Sequence, residues 1–200
     1  MYKDNPWAEN RQAKGHRYDV GSNIDEILPE IFTESKPDNC SDEKDYAQIY
    51  TRTKVGRKLL WVKRKYLKIP DNFSSYKVFV AKVNGKGEFG ETLSSPSIGA
   101  PNVGCSATFL CIGNFKTEYE ANAVLKYISS KFARTMLATL KVTQNNARDA
   151  WQNIPIQNFT DHSDIDWSKS LSEIDSQLYK KYGLSNDEID FIEKNVQPME

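Results

Sequence analysis

Three glycines in KVNGKGEFG, residues 82–90, are spaced as G-x-G-x-x-G: Gly85, Gly87 and Gly90. In a dinucleotide site this spacing lets the backbone approach a pyrophosphate, and a helix must open at the third glycine to aim its N-terminal amides at the phosphates. Here Gly90 is followed by ETLSSPSIGAPNVG, which has two prolines, two more glycines and no helical period. The motif therefore predicts no cofactor site. Asn84-Gly85 between β-prone runs predicts instead a two-residue hairpin turn joining VFVAKV to GEFGE. Gly87 and Gly90 then mark a bulge or a close backbone approach.

Other candidate chemistry is sparse. Pro37 and Asp38, followed by Asp42 to Lys44, match the outline of a nuclease PD…(D/E)xK pattern. Their separation is too short for two carboxylates to converge from a hairpin on one metal. His16 and His162 lie far apart, and neither neighbours a nucleophile. Cys40, Cys105 and Cys111 contain no C-x-x-C, so they suggest neither a disulfide framework nor zinc. Cys111, inside ATFLCIG, reads as a core residue. No Pro-Pro occurs, which excludes the N/D-P-P-Y/F motif of amino-methyltransferases. The chain by itself is expected to hold no catalytic residue, cofactor or metal. Its polar start and the lack of about 18 consecutive apolar residues lead to the expectation of a cytoplasmic protein.

The elements behind these residues are of mixed type. RKLLWVKRKYLKI, YKVFVAKV and a buried ATFLCIG read as strands, with the turn-like IPDNFSS between the first two. One long helix is predicted from the Thr117–Glu120 capping box to about Lys141, with Ala121, Leu125, Ile128, Phe132, Met136 and Leu140 on its apolar stripe. A polar loop turning into a short strand follows, in KVTQNNARDAWQNIPI. Two short C-terminal helices start at Ser170 with Glu173 and at Ser185 with Glu188, and Gly183 stops the first. Trp167, Leu171, Ile174, Leu178, Ile189 and Phe191 are expected to pack this pair on the body. The fold class is thus α+β: a twisted, mostly antiparallel sheet with one long packed helix and a C-terminal helical hairpin. Residues 1–45 form an irregular polar entry segment, 46–160 the central domain and 161–200 the helical tail.

Charge separates the same three blocks. Residues 1–45 hold 6 basic and 11 acidic residues, 46–157 hold 17 and 6, and 158–200 hold 4 and 10. A net charge of zero thus hides values of −5, +11 and −6. Arg52, Lys54, Arg57, Lys58, Lys63, Arg64, Lys65 and Lys68 crowd a stretch with no acid between Asp45 and Asp71. A polyanion is the partner such a run predicts. The second C-terminal helix, with Asp187, Glu188, Asp190 and Glu193, is too acidic to be a recognition helix of a helix-turn-helix.

Several stretches carry a resemblance: VNGKGEFGE, PSIGAPNVGCSATFLCIGNF, YISSKFARTMLATLKVTQNNARDAWQNIPIQNFT and, most specifically, DHSDIDWSKSLSEIDSQLYKKYGLSNDEIDFIEKNVQP. From about residue 46 to 200 the chain resembles the C-terminal target-recognition domain of fused type II restriction-modification enzymes, which join a nuclease and an adenine-specific DNA methyltransferase. The resemblance implies a sequence-specific DNA reader. It places S-adenosylmethionine and Mg in catalytic domains whose motifs this chain lacks. Its implied partners are double-stranded DNA and the methyltransferase and nuclease domains of the same polypeptide or complex. Residues 1–45 match the family poorly.

For such a reader, cations on phosphates give affinity and side chains on base edges give sequence preference. The expected phosphate contacts are Arg52, Lys54, Arg57, Lys63, Arg64, Lys65 and Lys86. The expected base-reading residues are Gln144, Asn145, Asn146 and Arg148, because Asn and Gln bond adenine bidentately and Arg bonds guanine. A competing expectation is a protein-interaction module that docks on a methyltransferase or other partner through its acidic tail.

Overall fold

Apolar alternation builds the first layer. β1 (Tyr46–Thr53) and β2 (Gly56–Lys63) pair antiparallel, in register from Tyr46↔Lys63 to Thr53↔Gly56. Ala47, Ile49, Leu60 and Val62 share one face of this hairpin. Ile49, Leu60 and Val62 on that face pack on Ala8, Ile24, Leu28, Ile31 and Phe32 of the entry segment. The computed structural model describes residues 1–12, 15, 19–37, 45–140, 144–146 and 148–199. Within its described part the entry segment is irregular, as the sequence predicts, apart from a 3-10 turn at Pro6–Arg11 and the short α1 (Ile24–Ile27). Thr33 bridges Trp61, and β5 (Val103–Cys105) joins β1 in parallel, completing the sheet order β2-β1-β5.

A second three-stranded sheet has the order β4-β3-β6 and is antiparallel throughout. It comprises β3 (Tyr76–Ala81), β4 (Ser97–Gly99) and β6 (Phe109–Phe115). β3 is buried on both sides: Val78 and Val80 face the helical core, whereas Phe79 stacks on Tyr50 of the first sheet at 5.4 Å between ring centroids. The class is α+β, with small antiparallel-rich sheets. The expected single sheet is divided in two: the entry segment covers one face of the β1–β2 hairpin, and the free edge of β1 pairs with β5 rather than β3.

Local chemistry decided three further differences. The strand predicted through Ile69 stops at Lys63, where Arg64–Tyr66 forms a 3-10 turn closed by the Leu67 N–H on the Arg64 carbonyl. The predicted long helix is two helices, α2 (Glu118–Ser129) and α3 (Lys131–Leu140), because Ser130 is extended at φ −61°, ψ 150°. Ser130 Oγ accepts from the Ala133 N–H at 3.1 Å, and the Asp175 carboxylate accepts from Lys131 and Phe132 N–H at 3.0 and 2.9 Å. A side chain from the tail thereby satisfies the first amides of α3. β6 is an edge strand, and Cys111 on it is exposed rather than core.

After the short α4 (Arg148–Gln152), the tail carries α5 (Leu171–Tyr182) and α6 (Asn186–Asn195). Both open with the predicted capping boxes, and Gly183 ends α5 at φ 65°. Trp167, Ile174, Leu178, Ile192 and Val196 complete the core that contains α2, α3 and Val78. Leu171 is half-buried and Ile189 packs against that core. Phe191 is not part of it: the inward period of α6 runs Ile189, Ile192, Val196, leaving Phe191 53 % exposed against Phe89. No described helix is long and apolar enough to cross a membrane.

Candidate nucleic-acid interface

The basic run meets the acids of the entry segment. Lys54 Nζ lies 2.6 Å from Glu26 Oε2, Lys65 Nζ 2.5 Å from Asp4 Oδ2, and Lys58 is paired with Glu34. The hydrogen bond from Lys65 holds the Asp4 carboxyl below its ordinary value. Exposed pairs of this kind add little stability, but they neutralise cations the sequence assigned to phosphates. Arg57 is committed elsewhere, donating to the Ser94 carbonyl at 2.7 Å and to the Ser95 carbonyl, with its guanidinium over the Phe109 ring. Arg64 lies over the Phe73 ring at 4.9 Å. Arg52 and Lys63 are exposed on the same hairpin face and make no ion pair among the described residues. The same holds for Lys68, Lys82, Lys86 and Arg148.

Asn84-Gly85 does not form the predicted hairpin. β3 ends at Ala81, GEFGE forms no strand, and of the two residues only Gly85 has positive φ, at 44°. Buried Asn84 instead organises the loop: its Nδ2 donates to Glu91 and to the Thr92 carbonyl, and its Oδ1 accepts from Ser94 N–H. The Glu91 carboxylate accepts from the N–H groups of Lys86 at 3.0 Å and Gly87 at 3.2 Å. A carboxylate of the chain itself thus occupies the amides that a phosphate at this glycine motif would need. Gly90 marks the close approach: a Cβ there would stand 2.2 Å from the Asn195 carbonyl oxygen.

The same loop pairs with the segment after α3. Asn84 N–H donates to the Gln144 carbonyl at 3.0 Å and Asn146 N–H to the Lys82 carbonyl at 2.7 Å, with Val83 bridging Asn145. Lys82, Gln144 and Asn145 therefore project from one two-stranded ribbon, with Lys86 in the loop just beyond it, and all four are exposed. Asn146 is withdrawn: it is 1 % exposed and its Nδ2 bonds the Ala81 carbonyl at 2.9 Å. Its amide secures the ribbon and does not reach outward. Arg148 is not in a loop, since it heads α4.

Beside the ribbon a groove of 840 Å³ opens between the two sheets. Phe73, Lys77, Val103 and Phe109 are its buried lining, and Lys68, Lys82, Arg148 and Gln152 are exposed along it. Lys77 is 1 % exposed, donates to the Phe73 carbonyl at 2.7 Å, and is held below the usual lysine range by burial. Trp151 also lines the groove, and its buried Nε1 has no hydrogen-bond partner among the described residues. Lys82, Trp151 and Gln152 escaped the sequence reading. RDAWQ does contain the signal for the last two, since Arg148, Trp151 and Gln152 fall at i, i+3 and i+4 on one helical face.

Among the described residues no three His, Cys, Asp or Glu side chains gather as a metal-ligand set. Asp38 and Asp42–Lys44 of the nuclease-like pattern lie outside the described residues, as do His16 and Cys40. No protein-family model, curated protein or solved structure matches this chain.

Proposed function

We propose that this chain is a sequence-specific reader of double-stranded DNA, serving a type II restriction-modification enzyme whose nuclease and methyltransferase chemistry resides in other domains. The observation that carries the reading is the ribbon of residues 82–84 and 144–146 with the adjoining loop to Lys86. It gathers amide side chains suited to base edges and lysines suited to phosphates, from two parts of the chain, on one projection beside a cation-lined groove. A two-stranded ribbon is also of a size that the major groove admits. Catalysis is assigned to partner domains, together with S-adenosylmethionine and Mg.

Fluorescence anisotropy on short duplexes at low salt tests this. Binding whose affinity falls steeply with salt, and which prefers some duplex sequences, supports it; absence of binding at 50 mM salt rejects it. A second reading, docking of a protein partner on the tail, is favoured by the tilted Phe89–Phe191 pair, exposed beside the acidic α6. Under that reading a heparin column should not retain the protein.

A further inference from the structure

We propose that Cys105 and Cys111 form a peroxide-reactive dithiol, in which Cys111 is oxidised first and Cys105 resolves it to a disulfide joining the two sheets. The placement follows from register. Cys105 pairs with Tyr50 in the first sheet and Cys111 with Phe79 in the second, and Tyr50 stacks on Phe79 where the sheets meet. Only Ser106-Ala107-Thr108 separates β5 from β6, held by an Oγ–Oγ1 hydrogen bond of 2.7 Å. The two thiols consequently lie close together across the sheet junction. Both line the groove, and Cys111 is exposed to solvent.

The surroundings make the two sulfurs unequal. Cys111 Sγ accepts from Asn72 Nδ2 at 3.3 Å and faces the Lys77 ammonium. The neighbouring Cys105 thiol, with Asn72 and Lys77 adding to its effect against burial, brings Cys111 down to about 7. Cys105 moves the other way, first because of Cys111 beside it and then because it is buried. An accessible thiolate beside a protonated partner is the arrangement of a thiol that oxidises and is then resolved.

With a hydroperoxide the steps balance. The Cys111 thiolate attacks one peroxide oxygen, the O–O bond breaks, and hydroxide (or alkoxide) leaves and takes a proton from solvent, giving a sulfenic acid. The Cys105 sulfur then displaces the sulfenic hydroxyl, its own proton leaving with that group as water. Two thiols are oxidised by two electrons and the peroxide is reduced. The sulfurs, neighbours at the sheet junction, close to about 2 Å in the disulfide.

The test uses the full chain carrying Cys40→Ser, reduced, then treated with hydrogen peroxide at neutral pH. The expected product is a Cys105–Cys111 crosslink seen by peptide mass spectrometry as the loss of two hydrogens, reversed by dithiothreitol. In Cys105→Ser the reaction should stop at a sulfenic acid on Cys111 that dimedone traps, and Cys111→Ser should consume peroxide at least tenfold more slowly. Crosslinks between chains, or equal reactivity of the two single variants, would overturn the proposal. So would survival of both thiols in a protein whose circular dichroism shows it folded.

Discussion

The Asn146 N–H donates to the Lys82 carbonyl at 2.7 Å, and through this bond two distant loops become one ribbon. Gln144 and Asn145 stand exposed on it, while Asn146 is turned inward on Ala81. Replacing Gln144 or Asn145 by Ala should relax discrimination at one base pair by about 1 to 3 kcal/mol and leave the salt dependence intact. Asn146→Ala should behave differently. It removes the bond to the Ala81 carbonyl, so thermal melting should register the change, with a cost of about 1 to 3 kcal/mol for the unsatisfied group. Anisotropy titrations against a panel of single-base-pair variants, beside melting curves, separate the two outcomes.

Cations without an ion-pair partner among the described residues are the ones expected on phosphates. Arg52→Ala, Lys63→Ala and Lys86→Ala should each lower the log–log salt slope by about 1. Lys54→Ala and Lys65→Ala should leave it unchanged, since Glu26 and Asp4 already neutralise these lysines. A slope that responds equally to both sets would show that the entry segment lifts away from the sheet when DNA binds.

Local signals were the legible part of this fold. The three capping boxes and the Gly183 stop each involve residues within one turn, and each is formed where the sequence predicts it. The break at Ser130 was hidden because the apolar period Ile128–Phe132 runs across it undisturbed. The Asp175 carboxylate that satisfies the restarted helix comes from the tail, and no spacing records that contact. The candidate interface shows the same division. A run of eight cations was obvious, yet which of them stay unpaired depends on Asp4, Glu26 and Glu34 folding over the sheet. Asn84-Gly85 carried a strong turn signal that lost to the hydrogen bonds Asn84 makes at Thr92 and Ser94.

Gly90 provides a test of the glycine motif. Its φ of 75° is strained for any residue with a Cβ, and that Cβ would meet the Asn195 carbonyl oxygen and Val196 Cα. Gly90→Ala should cost about 2 kcal/mol or more, from left-handed strain together with displaced backbone. Gly183→Ala, also left-handed at φ 65°, places its Cβ where nothing lies within 4 Å and should cost less. Urea midpoints that rank the two variants the other way would remove the close approach as the reason for this glycine.

The tail is predicted to be part of the cooperative unit. Ile174 is fully buried in the cluster that also holds Val124, Ile128 and Phe132. Ile174→Ala should cost about 2 to 4 kcal/mol as a buried large-to-small change, read by melting at several wavelengths. A separate early transition confined to tail signals would show that α5 and α6 detach independently.

Asp175 gives a dependence on pH whose sign can be worked out. Burial raises its carboxyl above the ordinary 3.8, against the opposing bonds from Phe132 and Lys131 N–H. Within the window between 3.8 and the raised native value, the folded chain binds more protons than the unfolded one. Stability contributed by this group is therefore full below that window, falls as pH rises through it, and is level above. Asp164, Asp166, Glu173 and Glu188 are held low by hydrogen bonds and act in the opposite sense, losing stability on acidification. Their effect is common to the parent and to Asp175→Asn, so it cancels in the difference between the two. Asn keeps one oxygen for the amides of α3 but cannot ionise, which makes its own cost independent of pH. The stability of the parent minus that of Asp175→Asn, from urea unfolding between pH 3 and 7, should therefore decline as pH rises above about 4 and then flatten. A difference that grows with pH would mean that the two N–H bonds outweigh burial and that the carboxylate is the favoured form at the start of α3.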